Sequence, residues 1–207
     1  MVKVKICGIT NLKDARDAVR SGCDGLGFVF FKGSQRYIEP KKAGSIIREL
    51  PSGIIKIGVF ANARKETVKR IAALCKLDIL QFHGNESPQF CARFTKYKVI
   101  KTFRVKNKID LKDIKRYKVF AYLFDTFVKS KIGGTGKKFN WEFLTSELAG
   151  INKPVFLSGG LNAKNVLQAI KIVKPQWVDV SSSVEKKPGV KDPDKVRKFI
   201  KTAKKGG

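Results

Sequence analysis

The fold class this sequence predicts is α/β, a single-domain (β/α)8 barrel over residues 1–207. Three observations predict it. Apolar runs of strand length alternate with stretches of helical periodicity, eight of each. Most of those runs are apolar nearly throughout, as strands of a parallel sheet covered by helices must be. The chain has 207 residues and no linker or shift in composition, so eight units fit only with short loops, which a closed barrel permits.

The first strand, Val2-Lys3-Val4-Lys5-Ile6-Cys7, alternates apolar residues with lysines, the period of a strand with one buried face. Gly8 ends it. Thr10-Asn11 offers an N-cap to a helix carrying Leu12, Ala15, Ala18 and Val19, and Gly22 closes that helix. Residues 25–30 form the second strand, whose Gly25-Leu26-Gly27 lacks the third glycine and the helix start of a dinucleotide-binding turn. A polar loop, 32–37, leads to Pro40 at a first helical position, with Ala43, Ile46, Ile47 and Leu50 as the apolar stripe. Strand 54–59 precedes a helix marked by Val68, Ile71, Ala72 and Cys75. Strand 77–82 ends at His83-Gly84 before a short helix over 87–94. Strand 99–103, a short helix with Leu111, Ile114 and Tyr117, and strand 119–124 follow, the last ending at Asp125. A glycine-rich loop, 133–137, precedes a helix over 141–148. Strand 154–157 ends in Ser158-Gly159-Gly160, and Asn162 is placed to cap a helix carrying Val166, Ala169, Ile170 and Val173. Strand 177–180 ends in Ser181-Ser182-Ser183, and Asp192-Pro193 opens a last helix with Val196, Phe199 and Ile200 inward.

Composition narrows the function classes. No apolar run reaches the roughly 18 residues of a membrane span. Lysines interrupt the N-terminal apolar stretch where a signal peptide needs continuity, so a cytoplasmic protein without a membrane partner is expected. Cys7, Cys23, Cys75 and Cys91 lie far apart and His83 is the only imidazole, which argues against a Cys/His zinc site; no metal and no disulfide are expected. The net charge of +27 suits an anionic partner. However, lysine and arginine fall 10, 9, 12 and 13 into residues 1–50, 51–100, 101–150 and 151–207, without the stripe or tail of a nucleic-acid binder. The charge reads as a general positive field with solvated lysine faces, and no specific nucleic acid is expected as a partner.

In a barrel the C-terminal strand ends share one face, so residues distant in sequence meet there. Those tips carry Cys7, Arg36, His83, Arg104, Asp125, Ser158-Gly159-Gly160 and Ser181-Ser182-Ser183. Cys7 alone reads as a packed thiol before it reads as a catalyst. The loops after strands seven and eight are where this fold commonly holds phosphate through backbone N–H groups, and Gly159-Gly160 allows close approach of an anion. The loop containing Gly134 is not a Walker motif, since Lys131 and Lys138 occupy positions that need Gly and Ser or Thr. It reads as a mobile cover over the mouth or as a plain surface loop.

Jointly, Lys5-Ile6-Cys7-Gly8-Ile9-Thr10, Gly27-Phe28-Val29-Phe30, Ser34-Gln35-Arg36-Tyr37, Gly58-Val59-Phe60, Gln81-Phe82-His83-Gly84-Asn85-Glu86, Asp125-Thr126, the stretches 133–137 and 157–161, and Val178-Asp179-Val180-Ser181-Ser182 resemble phosphoribosylanthranilate isomerase from end to end. The resemblance implies a cofactor-free Amadori rearrangement of N-(5-phosphoribosyl)anthranilate in tryptophan biosynthesis. It assigns the general acid to Asp125, the general base to Cys7, the substrate carboxylate to Arg36, and the phosphate to Gly159, Gly160, Ser181 and Ser182. His83, Asp179 and Gly134 fall within its motifs as further site candidates, His83 as structural or substrate-adjacent. A base needs thiolate character, which a positive site favours, whereas Asp125 must start protonated. The family usually has glycine where this chain has Ser183; serine either weakens phosphate binding, if φ > 0 or close approach of the phosphate is needed, or adds a hydroxyl donor. The partner implied is a small phosphorylated substrate, with the chain a monomer or a homodimer.

Three other readings stand beside this one. The related isomerase of histidine biosynthesis places aspartate where this chain has Cys7. A polyanion-binding protein is suggested by charge alone. A cysteine hydrolase would have to use His83, the sole histidine, as its base.

Overall fold

The computed structural model describes residues 1–105, 111–125, 141–148 and 150–206. Its strands are β1 (Lys3–Cys7), β2 (Gly25–Val29), β3 (Ile55–Phe60), β4 (Ile79–Phe82), β5 (Lys98–Arg104), β6 (Ala121–Asp125), β7 (Val155–Ser158) and β8 (Trp177–Val180). All pair in parallel and in sequence order, and β1 closes the barrel by pairing with β8. Helices α1 (Leu12–Arg20), α2 (Pro40–Arg48), α3 (Lys65–Leu74), α4 (Pro88–Cys91), α5 (Leu111–Lys115), α6 (Trp141–Leu148), α7 (Val166–Val173) and α8 (Pro193–Lys204) alternate with them. The Asn11 side chain accepts from the Asp14 N–H, and Asp192 accepts from Asp194 and Lys195, as their cap positions predict. Among the described residues no helix is long and apolar enough to cross a membrane.

Several boundaries differ from expectation for local reasons. β4 begins at Ile79, because the Leu77 N–H donates back to Ala72 and closes the turn after α3. β6 runs on through Asp125, and α4 is confined to Pro88–Cys91. Asn162 does not cap α7. Its amide oxygen accepts from Lys164 in an intervening turn, and Asn165 occupies the cap position with its side chain turned back to the Asn162 N–H and the Gly160 carbonyl rather than capping the helix. Between β8 and α8 lie a 3-10 turn, Ser182–Val184, and a small hairpin of β9 (Glu185–Lys187) and β10 (Val190–Lys191), neither foreseen.

From Val4 onward the alternation in β1 separates two buried layers rather than protein from water, and Lys3 at the strand's start is exposed. Val2, Val4 and Ile6 join the core between sheet and helices, while Lys5 is fully buried. A barrel strand is covered on both faces, so the period of 2 divides interior from exterior without exposing either. Lys101 and Lys191 are also buried, paired with Glu86 at 2.8 Å and Glu185 at 2.8 Å. The expectation of solvated lysines therefore fails for these three. A lower plug of Ile57, Ile79, Ile100, Ala121, Leu123, Phe156 and Trp177 fills the barrel, with the Phe156 and Trp177 rings stacked at 4.9 Å. Polar side chains lie above it.

Candidate active site

At the C-terminal strand ends a cavity of about 140 Å³ is lined by Asp125 from β6, Gly159 and Gly160 after β7, Asp179 from β8, and Ser181 and Ser182 after it. All six are residues singled out from the sequence. A larger cavity of about 590 Å³ lies at the other end of the barrel around Met1, Lys3, Pro154 and Gln176. It holds none of those residues, and in this fold position along the strands marks the site better than volume does.

Cys7 ends β1 beside Val29 and Val59, a small apolar cluster. Gly27 makes its place possible: a Cβ there would lie 2.7 Å from Cys7 Sγ and 3.1 Å from Lys5 Cε. Lys5 Nζ donates to Asp179 Oδ2 at 2.9 Å and to Gln81 Oε1 at 2.8 Å. Burial pulls the Lys5 ammonium down, but Asp179 and Cys7 more than offset this and hold it above its ordinary value. Cys7 goes the other way from the thiolate expected. Burial pushes the thiol up, Lys5 and Lys191 pull it down, and Asp179 adds to the rise, leaving it above the usual thiol range.

Across the mouth, Asp125 Oδ2 lies 3.5 Å from His83 Nε2, with about a quarter of each side chain exposed. His83 Nδ1 lies 3.2 Å from Gln81 Nε2. Arg104, at the tip of β5, is exposed. Gly134 and the loop 133–137 lie outside the described residues.

The two small-residue loops meet beside Asp179. Gly159 and Gly160 both take positive φ, +92° and +66°. The N–H groups of Gly160 and Ser182 donate to no protein group among the described residues and remain open to an anion. Ser181 Oγ donates to the Cys7 carbonyl at 3.1 Å, fastening the tip of β8 to that of β1. Ser183 does not adopt a left-handed conformation, and its hydroxyl donates to the Leu161 carbonyl. Serine therefore incurs no φ penalty here. Its proton ties the two loops together, which sets aside the left-handed-backbone and hydroxyl-donor readings of this position.

Arg36, in the loop after β2, is held by Glu185 of the hairpin: Nε to Oε1 at 2.9 Å and Nη2 to Oε2 at 2.7 Å. Burial works against the Glu185 carboxylate, but Arg36 and Lys191 dominate and hold it below its ordinary value. Burial lowers Lys191 despite that pairing. Two N–H groups on Nη1 and one on Nη2 of Arg36 remain outside the Glu185 fork.

Sequence reasoning missed Lys5, Gln81, Glu185 and Lys191. For Lys5 and Gln81 the signal was present, since each stands two residues before a tip residue and so shares its inward face. For Glu185 and Lys191 no local signal exists, because the hairpin that turns them toward Arg36 is a tertiary feature.

Comparison with known proteins identifies the family. The family model for N-(5'-phosphoribosyl)anthranilate (PRA) isomerase matches residues 4–202. The N-(5'-phosphoribosyl)anthranilate isomerases of Citrifermentans bemidjiense and Geotalea uraniireducens are each 49% identical to this chain, covering 99% of it and 98% and 99% of their own lengths. The crystal structure of phosphoribosyl anthranilate isomerase from Thermotoga maritima superposes with a TM-score of 0.89 at 42% identity, over 99% of this chain and 100% of that one. A second, of a phosphoribosyl anthranilate isomerase in complex with reduced 1-(o-carboxyphenylamino)-1-deoxyribulose 5-phosphate, has a TM-score of 0.87 at 41% identity, with the same coverage. A thiamine phosphate pyrophosphorylase from Pyrococcus furiosus, at 16% identity and a TM-score of 0.65, shares the fold alone. With barrel, strand-tip constellation and full-length similarity in agreement, the chain belongs to the N-(5'-phosphoribosyl)anthranilate isomerase family and is an isomerase.

Proposed function

We propose that this isomerase converts N-(5-phosphoribosyl)anthranilate into 1-(2-carboxyphenylamino)-1-deoxyribulose 5-phosphate in tryptophan biosynthesis, with Asp125 as general acid, Cys7 as general base and no cofactor. One observation carries the reading: a carboxyl group and two loops with open N–H donors line a single cavity whose wall is fastened to the Cys7 carbonyl. The Asp125 carboxyl gives its proton to the furanose ring oxygen as the bond from that oxygen to C1 breaks, and the nitrogen lone pair forms a C1=N iminium. Cys7, its thiol proton having passed to solvent, then removes the proton on C2 as the thiolate; the electron pair of that C–H bond becomes the C1=C2 bond of an enolamine and the C1=N pair returns to nitrogen. Loss of the C2 hydroxyl proton and gain of a proton at C1 complete the ketone, so nothing is oxidised or reduced overall.

The raised value of Cys7 makes the thiol its resting form. The cationic iminium brings to the mouth a positive charge that favours the thiolate when it is needed. The phosphate rests on the Gly160 and Ser182 N–H groups, and the anthranilate carboxylate on the Arg36 N–H groups left outside the Glu185 fork. The test is a fluorescence assay of substrate loss with Cys7→Ser and Asp125→Asn. Both variants are expected to keep the wild-type circular dichroism and to lose turnover; full activity in either sinks the mechanism.

A further inference from the structure

We infer that Gln81 is a positioning residue that fixes the tautomer of His83, so that His83 presents an Nε2–H donor to Asp125. The inference rests on the reading of Asp125 as the general acid.

Two groups here can only donate hydrogen bonds, and they fix the orientation of Gln81 and the tautomer of its neighbour. Lys5 is fully buried with its ammonium 2.9 Å from Asp179 Oδ2, and an ammonium has donors and no acceptor. The Gln81 atom 2.8 Å from it must therefore be the amide oxygen. That orientation turns the amide NH2 toward His83 Nδ1 at 3.2 Å and Thr102 Oγ1 at 3.3 Å. An amide NH2 also only donates, so Nδ1 must present its lone pair and the imidazole proton must sit on Nε2. Nε2 is the nitrogen 3.5 Å from Asp125 Oδ2, a separation typical of catalytic contacts before substrate tightens them.

Two consequences follow for the acid. A carbonyl oxygen accepts a hydrogen bond better than a hydroxyl oxygen, so a donor at Oδ2 leaves the acidic proton to Oδ1. Once that proton has moved to the ring oxygen, the same N–H stabilises the carboxylate left behind. The other tautomer would turn a lone pair toward Asp125 and do neither. The buried Lys5 beneath Cys7 thus also sets, through Gln81, the polarity of the group facing the acid.

His83 is the only histidine, so 15N-histidine labelling reports on a single imidazole. The wild type is expected to show a bare, pyridine-like Nδ1 and a protonated, pyrrole-like Nε2 near neutral pH. Gln81→Glu, whose carboxylate accepts from both Lys5 and an Nδ1–H, should reverse that pattern. Gln81→Met should give a mixture of tautomers and lower kcat by roughly 10- to 100-fold, as loss of such an orienting partner does, with KM changed less than about two-fold. A wild-type spectrum with the proton on Nδ1 overturns the inference even if neither variant folds, and so does an unchanged kcat in Gln81→Met. The wild-type tautomer reads out independently of activity, so an active Asp125→Asn beside an Nε2–H wild type would remove the acid assignment and leave the tautomer control standing.

Discussion

Replacing Lys5 by methionine probes how the floor of this site is held. Lys5 has no exposed side-chain surface, and its ion pair with Asp179 is 2.9 Å long. Asp179 Oδ1 has no hydrogen-bond partner among the described residues, so Lys5 is the compensation for that buried carboxylate. Removing the cation alone leaves an uncompensated buried charge, at a cost of about 3–5 kcal/mol. For a chain of this size each kcal/mol moves Tm by about 2–4 °C, so Lys5→Met should melt roughly 6–20 °C lower. Lys5→Met combined with Asp179→Leu removes both charges and should recover most of the loss, because breaking a buried pair costs far more than replacing it with apolar groups. Lys5 also pulls the Cys7 thiol down, so without it the thiol rises further and the ascending limb of kcat against pH shifts to higher pH. Thermal unfolding by circular dichroism and a pH–rate profile read the two effects separately. A drop in Tm below about 2 °C, or a double variant no more stable than Lys5→Met, refutes the argument.

In Gly27→Ala the new Cβ would lie 2.7 Å from Cys7 Sγ and 3.1 Å from Cys7 Cα. The displaced thiol should lower kcat/KM by about 100-fold, measured by the same fluorescence assay. Glu185→Gln keeps the shape of the Arg36 partner but not its charge, and should raise KM for the carboxylate-bearing substrate more than it lowers kcat. The folded-state value of Glu185 is depressed, so its stabilisation is present above the unfolded carboxyl value and is lost as pH falls through the folded one. The Tm gap between wild type and Glu185→Gln should therefore narrow on acidification below about pH 4. Ser183→Gly removes the bond to the Leu161 carbonyl that ties the two loops together. Losing one hydrogen bond of about 1 kcal/mol should weaken competitive inhibition by inorganic phosphate roughly five-fold; tighter inhibition would show that serine was an obstacle.

Cys7, His83, Asp125, Gly159, Gly160, Ser181 and Ser182 were legible because each stands at the end of an apolar run, and parallel barrel strands all end on one face. Arg36 was legible by position, but not its engagement with Glu185. That contact joins residues separated by 149 positions through a hairpin whose short strands carry no apolar period of their own. Lys5 was misread because a lysine every second residue ordinarily marks a solvated face.

Periodicity and turn chemistry are local, so the chain by itself determined its eight βα units, their order, the caps at Asn11 and Asp192, and which residues reach the mouth. Protonation and hydrogen-bond polarity depend on which groups are brought within a few ångströms across the barrel, and these only the tertiary structure decided. Burial beside Val29 and Val59 keeps Cys7 a thiol at rest. A buried ammonium on β1 orients an amide on β4, which in turn leaves His83, the residue after that strand, with its N–H toward Asp125 on β6.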